Sequence, residues 1–404
     1  MLKWLKDLMV QLQQVRNQNN IIILNVIEES RWGGPQTRIF RVAKALLNTK
    51  FQPITLFPEN NSKKITQIFQ DNRLIYFRLK LTPLRSQFKL VLKYLLFFIS
   101  EVIILKNIFC QFQPQIIQCN GASQIKGLIA ARLLNIPSIW FLNDTRTPKI
   151  VSLIFQILVR ICNPYIIVNS NRVKKYYLDN SSLKNSSIKV IQSPVDIMLF
   201  NKQGENQIDK KKNLKVVTVA NINPDKGLEY FIEMVAKINK QINNIHFYIA
   251  GSQLRTQAIY FNKLKALIEN LNINNITFMG HVEDIKSFLT SSDVYVCSSI
   301  TEASPISVWE AMATGLPVVS SDVGDVGIFL KNRDYDFITP TKNGERLAYK
   351  TLKLLKNCEL RIKYGNFLRK VAINKFGINS CINKHIEYYN KIIKENYKYE
   401  NTRN

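Results

Sequence analysis

Two carboxylates, Glu302 and Glu310, are separated by seven residues inside TEASPISVWEAMATGLPVVSSDVGD at 301–325. The apolar run VYVCSS at 294–299 precedes them and reads as a strand, so Glu302 is expected in a loop at a strand's carboxyl end. Ser304 suits an N-cap, Pro305 the first helical position, and ISVWEAMAT continues as a helix that Gly315 ends. Unpaired N–H groups at such a helix start attract phosphate oxygens. Carboxylates are poor phosphate ligands but accept hydrogen bonds from hydroxyls. A sugar carried on a nucleotide diphosphate would use both features. Position alone also allows Glu302 to be an exposed loop acid and Glu310 a solvated helix residue. The neighbours Val308, Trp309, Ala311 and Met312 make a solvated face for Glu310 uncomfortable.

Strands and helices must bring such groups together, and their order is legible. Short β-type runs alternate with helical patterns almost from end to end, which predicts an α/β protein with parallel sheets. In the first half the strands are IIILNVI at 21–27, PITLF at 53–57, PQIIQC at 114–119, PSIWFL at 137–142 and YIIVNS at 165–170, with helices near 36–48 and at 127–134. The second half restarts with KVVTVA at 215–220, IHFYIA at 245–250, ITFMG at 276–280, VYVCSS and PVVSS at 317–321. The polar stretch NKQGENQIDKKKN at 201–213 reads as a linker. The expected organisation is an amphipathic extension over 1–19, a Rossmann-like domain over 20–200, the linker, a second such domain over 214–375, and a helical tail over 376–404 returning to the first. Two open parallel sheets joined this way would face a central cleft at their carboxyl ends.

The 301–325 segment resembles the donor-binding signature of family 4 glycosyltransferases, retaining enzymes of the GT-B fold whose two glutamates share this separation. The resemblance implies that Glu302 meets the transferred sugar and Glu310 the ribose of the nucleotide, while the backbone amides near Pro305 to Ser307, with Ser304 and Ile306 in the same donor-binding stretch, approach the diphosphate. ANINPDKGLEYFIEM at 220–234 resembles the strand, loop and helix carrying the family's diphosphate-binding basic residues. Lys226 falls on its lysine position, Gly227 opens the helix, and Asn221 stands where many members have arginine. A lysine there would offset diphosphate charge in binding and as the leaving group departs.

Further matches extend along the chain. AGS at 250–252, with Gly251, resembles the glycine turn after the second strand, and MGHVEDI at 279–285 the loop near the base. His281 is thereby implied to be a loop residue near the nucleotide rather than a catalytic base. SRWGGPQTRIF at 30–40 resembles the glycine loop after the first strand, where Gly33 and Gly34 would admit a phosphate or an acceptor close to the backbone. VIQSPVDIMLF at 190–200 resembles the end of the first domain, with Asp196 retained. In WFLNDTRTP at 140–148, Asn143 and Asp144 stand where many relatives place a histidine that contacts the sugar, which makes Asp144 a catalytic candidate.

The 404 residues carry a net charge of +27, and residues 1–200 hold 27 basic against 9 acidic side chains. Such an excess suits an anionic membrane surface, phosphate-rich ligands or nucleic acid, and it also follows from a composition rich in Asn, Ile and Lys throughout. The lysines are dispersed and lack an interleaved aromatic motif, which disfavours nucleic acid. Six cysteines form no CxxC pair, and three histidines lie far apart, so neither a structural zinc nor a His-based metal site is expected. The apolar region at 90–109 is interrupted by Lys93, Glu101 and Lys106 and does not read as a transmembrane span. MLKWLKDLMVQL at the start places Leu2, Leu5, Leu8, Met9 and Leu12 on one stripe, a short amphipathic helix rather than a signal peptide, suited either to a headgroup layer or to its own domain.

These readings converge on a retaining, metal-independent hexosyltransferase using a nucleotide diphosphate sugar as donor and no cofactor. The acceptor is expected to be a glycan or lipid-linked, in cell-surface polysaccharide or glycolipid synthesis, and the location cytoplasmic or peripheral on a membrane. The alternatives are a nucleotide-sugar epimerase or phosphorylase of the same fold, a basic nucleic-acid-binding protein, and an inactive scaffold.

Overall fold

In the computed structural model, residues 20–29, 33–59, 63–84, 87–145, 149–181, 183–184, 187–201, 213–253 and 255–401 are described. The amphipathic extension at 1–19, most of the linker at 201–213 and residues 30–32 of the glycine loop lie outside them. The chain divides into two units, residues 1–194 with 381–404 and residues 195–380.

The first unit is a seven-stranded sheet. Its strands are β1 (Ile21–Val26), β2 (Phe51–Pro58), β3 (Ile75–Leu79), β4 (Ile116–Asn120), β5 (Ser138–Leu142), β6 (Tyr165–Val168) and β7 (Ile188–Val190), in the order β3-β2-β1-β4-β5-β6-β7. Every pairing is parallel. Such a sheet needs cover on both faces, which is why its inner strands are continuous apolar runs. From Cys381 onward the helix Ile378–Asn401 belongs to this unit, placing Ile382, Tyr389 and Ile392 in one core with Ile23, Phe51, Ile139 and Phe141. It is held by a buried polar contact, Arg38 to His385 Nε2 at 3.0 Å, with the guanidinium 3.6 Å above the Phe141 ring. Burial, reinforced by Arg38, holds the His385 pKa well below its ordinary value.

The second unit has β8 (Leu214–Val219), β9 (Ile245–Ala250), β10 (Ile276–Gly280), β11 (Val294–Cys297), β12 (Val318–Ser321) and β13 (Ile338–Thr339), in the order β10-β9-β8-β11-β12-β13, again all parallel. Strand order reverses between β8 and β11, where Val217 pairs with both Tyr248 and Tyr295. Doubly wound sheets bind ligands outside the carboxyl ends of the strands at this reversal. One continuous core fills the unit, with Trp309 stacked on Phe376 at 4.1 Å between ring centroids.

Candidate active site

The loops that leave β8 and β11 are joined to each other. After β8 the chain forms a short 3-10 turn, Pro224–Lys226, capped by the Asn223 side chain, which accepts from the Asp225 N–H at 2.9 Å. From the β11 side, the Ile300 N–H donates to the Asp225 carbonyl at 2.8 Å and the Ser298 hydroxyl to the Lys226 carbonyl at 3.0 Å. Gly227 ends the turn at φ +55° and caps the helix Leu228–Asn239. A Cβ there would stand 2.4 Å from the Ser298 carbonyl oxygen, so both the backbone conformation and the closeness of the second loop require glycine.

This junction brings Lys226 and Glu302 together. The lysine Nζ donates to Glu302 Oε1 at 2.5 Å, and the Ser299 hydroxyl donates to the same oxygen at 3.0 Å. The Lys226 side chain is 27 % exposed and that of Glu302 17 %, so the pair is shielded yet reachable. Burial alone would lower the lysine's pKa, but the facing Glu302 outweighs it and the net shift is upward. Lys226 therefore stays a cation at neutral pH.

Helix Ile306–Ala313 starts just beyond, and here the expected capping is corrected. The N-cap is Pro305, with ψ 93°, not Ser304. The Ser304 hydroxyl is taken by the Trp309 indole N–H at 2.9 Å and caps nothing. Pro305 has no N–H, so the amides expected at 305–307 reduce to those of Ile306 and Ser307, the first two of the helix, which have no helical acceptor. The Ser307 hydroxyl accepts from Tyr295 on β11 at 2.9 Å. Glu310 lies one turn above Ile306 and is 9 % exposed, so it is a buried carboxylate rather than a solvated helix residue.

Asn221, at the end of β8, accepts the Ser252 N–H on Oδ1 at 3.1 Å, leaving its amide N–H groups as donors. Gly251 packs directly against that strand end: a Cβ would lie 2.0 Å from the Ala220 carbonyl oxygen. His281 is an exposed loop residue beyond β10.

Gly33, Gly34 and Asp144 belong to the first unit. Gly33 caps the helix Gly34–Leu46 in extended conformation, and among the described residues a Cβ there would meet only ordinary contacts. Asp144 lies beyond β5; desolvation raises its pKa against a hydrogen bond from the Ala122 backbone. Sequence reasoning missed Ser298, Ser299, Asp225 and Tyr295. All four act through backbone carbonyls or hydroxyls that no spacing rule singles out.

Residues 200–371 match the family model of the glycosyl transferases group 1. Among curated proteins, the chain is 27% identical over 282 residues to an Escherichia coli UDP-Gal:alpha-D-GlcNAc-diphosphoundecaprenol alpha-1,3-galactosyltransferase, covering 66% of this chain and 72% of that protein. It is 25% identical over 257 residues to a Campylobacter jejuni N,N'-diacetylbacillosaminyl-diphospho-undecaprenol alpha-1,3-N-acetylgalactosaminyltransferase, covering 61% of this chain and 65% of the relative. The second match thus spans just under two thirds of that relative. Among solved structures, Anabaena HepE in complex with UDP-glucose superposes with a TM-score of 0.78 at 17% identity over 92% of this chain and 100% of its own. The chain is a glycosyltransferase, built on the GT-B fold. Its residues 200–371 are similar to the glycosyl transferases group 1.

Proposed function

We propose that this enzyme transfers a hexosyl group, with retention of configuration, from a nucleotide diphosphate sugar to a lipid-linked acceptor. The observation that carries the reading is the shielded Lys226–Glu302 pair, pinned by Ser299 where β8 and β11 end, beside the amides of Ile306 and Ser307. The diphosphate takes the lysine and the amides, and Glu302 and Glu310 accept from sugar and ribose hydroxyls. The bond from the anomeric carbon to the diphosphate oxygen breaks while the acceptor oxygen bonds to that carbon on the same face. The acceptor's proton passes to the departing diphosphate, whose charge Lys226 stabilises. No divalent cation enters this scheme.

A uridine diphosphate sugar is the first donor to test, because relatives and structural neighbours are named for UDP-linked donors. The lipid-linked acceptor rests on relatives named for diphosphoundecaprenol substrates and on the basic excess of residues 1–200. A role in cell-surface glycan synthesis, Asp144 as a sugar contact, and peripheral attachment to a membrane belong to the same reading. The deciding experiment screens nucleotide sugars by thermal shift, then follows nucleotide release and the anomeric configuration of the product. A UDP-sugar that raises the melting temperature and yields an axial linkage from an axial donor supports the proposal. Interconversion of free nucleotide sugars would replace it with an epimerase, and indifference to every nucleotide sugar would overturn it.

A further inference from the structure

Helix Phe88–Phe112 is apolar on both of its sides. Its inner side buries Tyr94, Val102, Leu105, Phe109 and Phe112 against the sheet. Its outer side presents Phe88 at 81 % exposure, Leu96 at 71 % and Ile99 at 72 %, with Leu92 and Ile103 on the same stripe. These positions recur at three- and four-residue steps, so they form one continuous seam rather than scattered exposure. An all-round apolar helix is ordinarily buried or membrane-embedded. Among the described residues, however, no helix is long and apolar enough to cross a membrane.

A second exposed apolar stripe lies on a helix of the same unit. Helix Lys126–Leu133 packs against this helix and against Lys149–Cys162, and Arg132 Nε donates to the Ile161 carbonyl at 2.9 Å. On Lys149–Cys162, Leu153, Ile157 and Ile161 are also exposed at four-residue steps.

Charge selects the occupant. From residue 72 to residue 178 the only acids are Glu101 and Asp144, and Glu101 is turned inward onto Lys126 at 2.5 Å. Lys89, Lys93 and Arg160 stay exposed beside the apolar stripes. Long basic side chains over an apolar floor match a headgroup layer, where the aliphatic stems lie in the acyl boundary and the charges meet phosphates. A two-fold pairing of this face with a second copy would instead set Lys89 and Lys93 against their own charge.

We propose that the outer sides of helices Phe88–Phe112 and Lys149–Cys162 form a docking surface that seats the first unit in the headgroup layer of an anionic phospholipid bilayer. Its purpose rests on the reading of a lipid-linked acceptor; its location rests on the exposed seam.

The test is flotation of the full chain, without donor or acceptor, on vesicles of equal parts phosphatidylglycerol and phosphatidylcholine and on phosphatidylcholine alone. Wild type should float with the anionic vesicles and lose binding as salt rises. The triple variant Leu96→Ser/Ile99→Ser/Ile103→Ser should float about tenfold less. Lys89→Gln/Lys93→Gln should weaken the salt dependence. A Leu96→Cys variant carrying an environment-sensitive dye should blue-shift on the same vesicles. Flotation of the triple variant equal to wild type overturns the inference, as does flotation abolished by deleting residues 1–19 alone with the triple variant unaffected. So does a shift of the triple variant from dimer to monomer with vesicle binding unchanged. Loss of flotation with transfer to a soluble acceptor intact confirms that docking and chemistry are separate; docking with no nucleotide-sugar turnover under any condition would strike the proposed reaction and leave the surface standing.

Discussion

Lys226 and Glu302 form an ion pair of 2.5 Å across the carboxyl ends of β8 and β11, although 76 positions separate them in sequence. The contact holds the two loops in one register. In the proposed scheme a diphosphate shares a cation that Glu302 also holds.

That competition separates two variants. Glu302→Gln should lower kcat about a hundredfold, yet leave UDP affinity equal to wild type or tighter, because the lysine is released from its partner. Lys226→Ala should weaken UDP binding by about tenfold and lower turnover as well. Calorimetric titration with UDP beside steady-state kinetics reads both. Parallel loss of UDP affinity and turnover in Glu302→Gln would contradict the shared-cation account.

Ser299→Ala removes one donor to Glu302 Oε1 without touching the ion pair. A loss of about fivefold to tenfold in kcat, with donor KM little changed, is expected for a single hydrogen bond of about 1 kcal/mol. A KM effect alone would place Ser299 in binding instead.

Glycine replacements should divide by unit. Gly227→Ala meets the Ser298 carbonyl and a left-handed backbone together, and should cost about 2 kcal/mol or more in urea unfolding. Gly33→Ala should stay within about 0.5 kcal/mol of wild type. If a ligand occupies the room beside Gly33, its turnover falls while its stability does not.

A pH signature resides in the first unit. Glu28 is buried 3.3 Å from Lys126, which also pairs with Glu101, and burial, only partly offset by Lys126, raises its pKa to about 7. A carboxyl raised in the folded state is stabilising below its unfolded pKa and loses that contribution as pH rises toward the folded value. Glu28→Gln lacks this dependence. The melting temperature of the variant relative to wild type should therefore climb from about pH 5 to about pH 7 and level off above. A difference that stays flat across that window would show that Glu28 is not protonated in the native protein.

Turnover in excess chelator should remain within about twofold of that with added magnesium, since lysine and amides carry the leaving-group charge in the proposed scheme. Abolition by chelator, restored by a divalent cation, would require a different account of diphosphate departure.

The inner strands were legible because burial on both faces makes them plain apolar runs; IIILNV and KVVTVA could hardly be anything else. The strands that escaped notice, β3, β7 and β13, carry exposed Arg78 and Lys189 or span only two residues, and periodicity needs more. The type and spacing of Glu302 and Glu310 suggested hydroxyl recognition, and the resemblance placed Lys226 at the diphosphate. The contacts that position them did not show, because Ile300 and Ser298 bind the carbonyls of Asp225 and Lys226, and a carbonyl has no residue type. Ser304 looked like a cap for the same reason: nothing local announces that the Trp309 indole claims its hydroxyl.

Residues 195–380 are contiguous, whereas the first unit takes Ile382, Tyr389 and Ile392 into the core that Ile23 and Phe51 begin. On the ribosome, the second unit can close as soon as it emerges, while the first waits with part of its interior unfilled until the last helix is translated. The unit made first is thus finished last, and its apolar side chains stay incompletely packed during the delay.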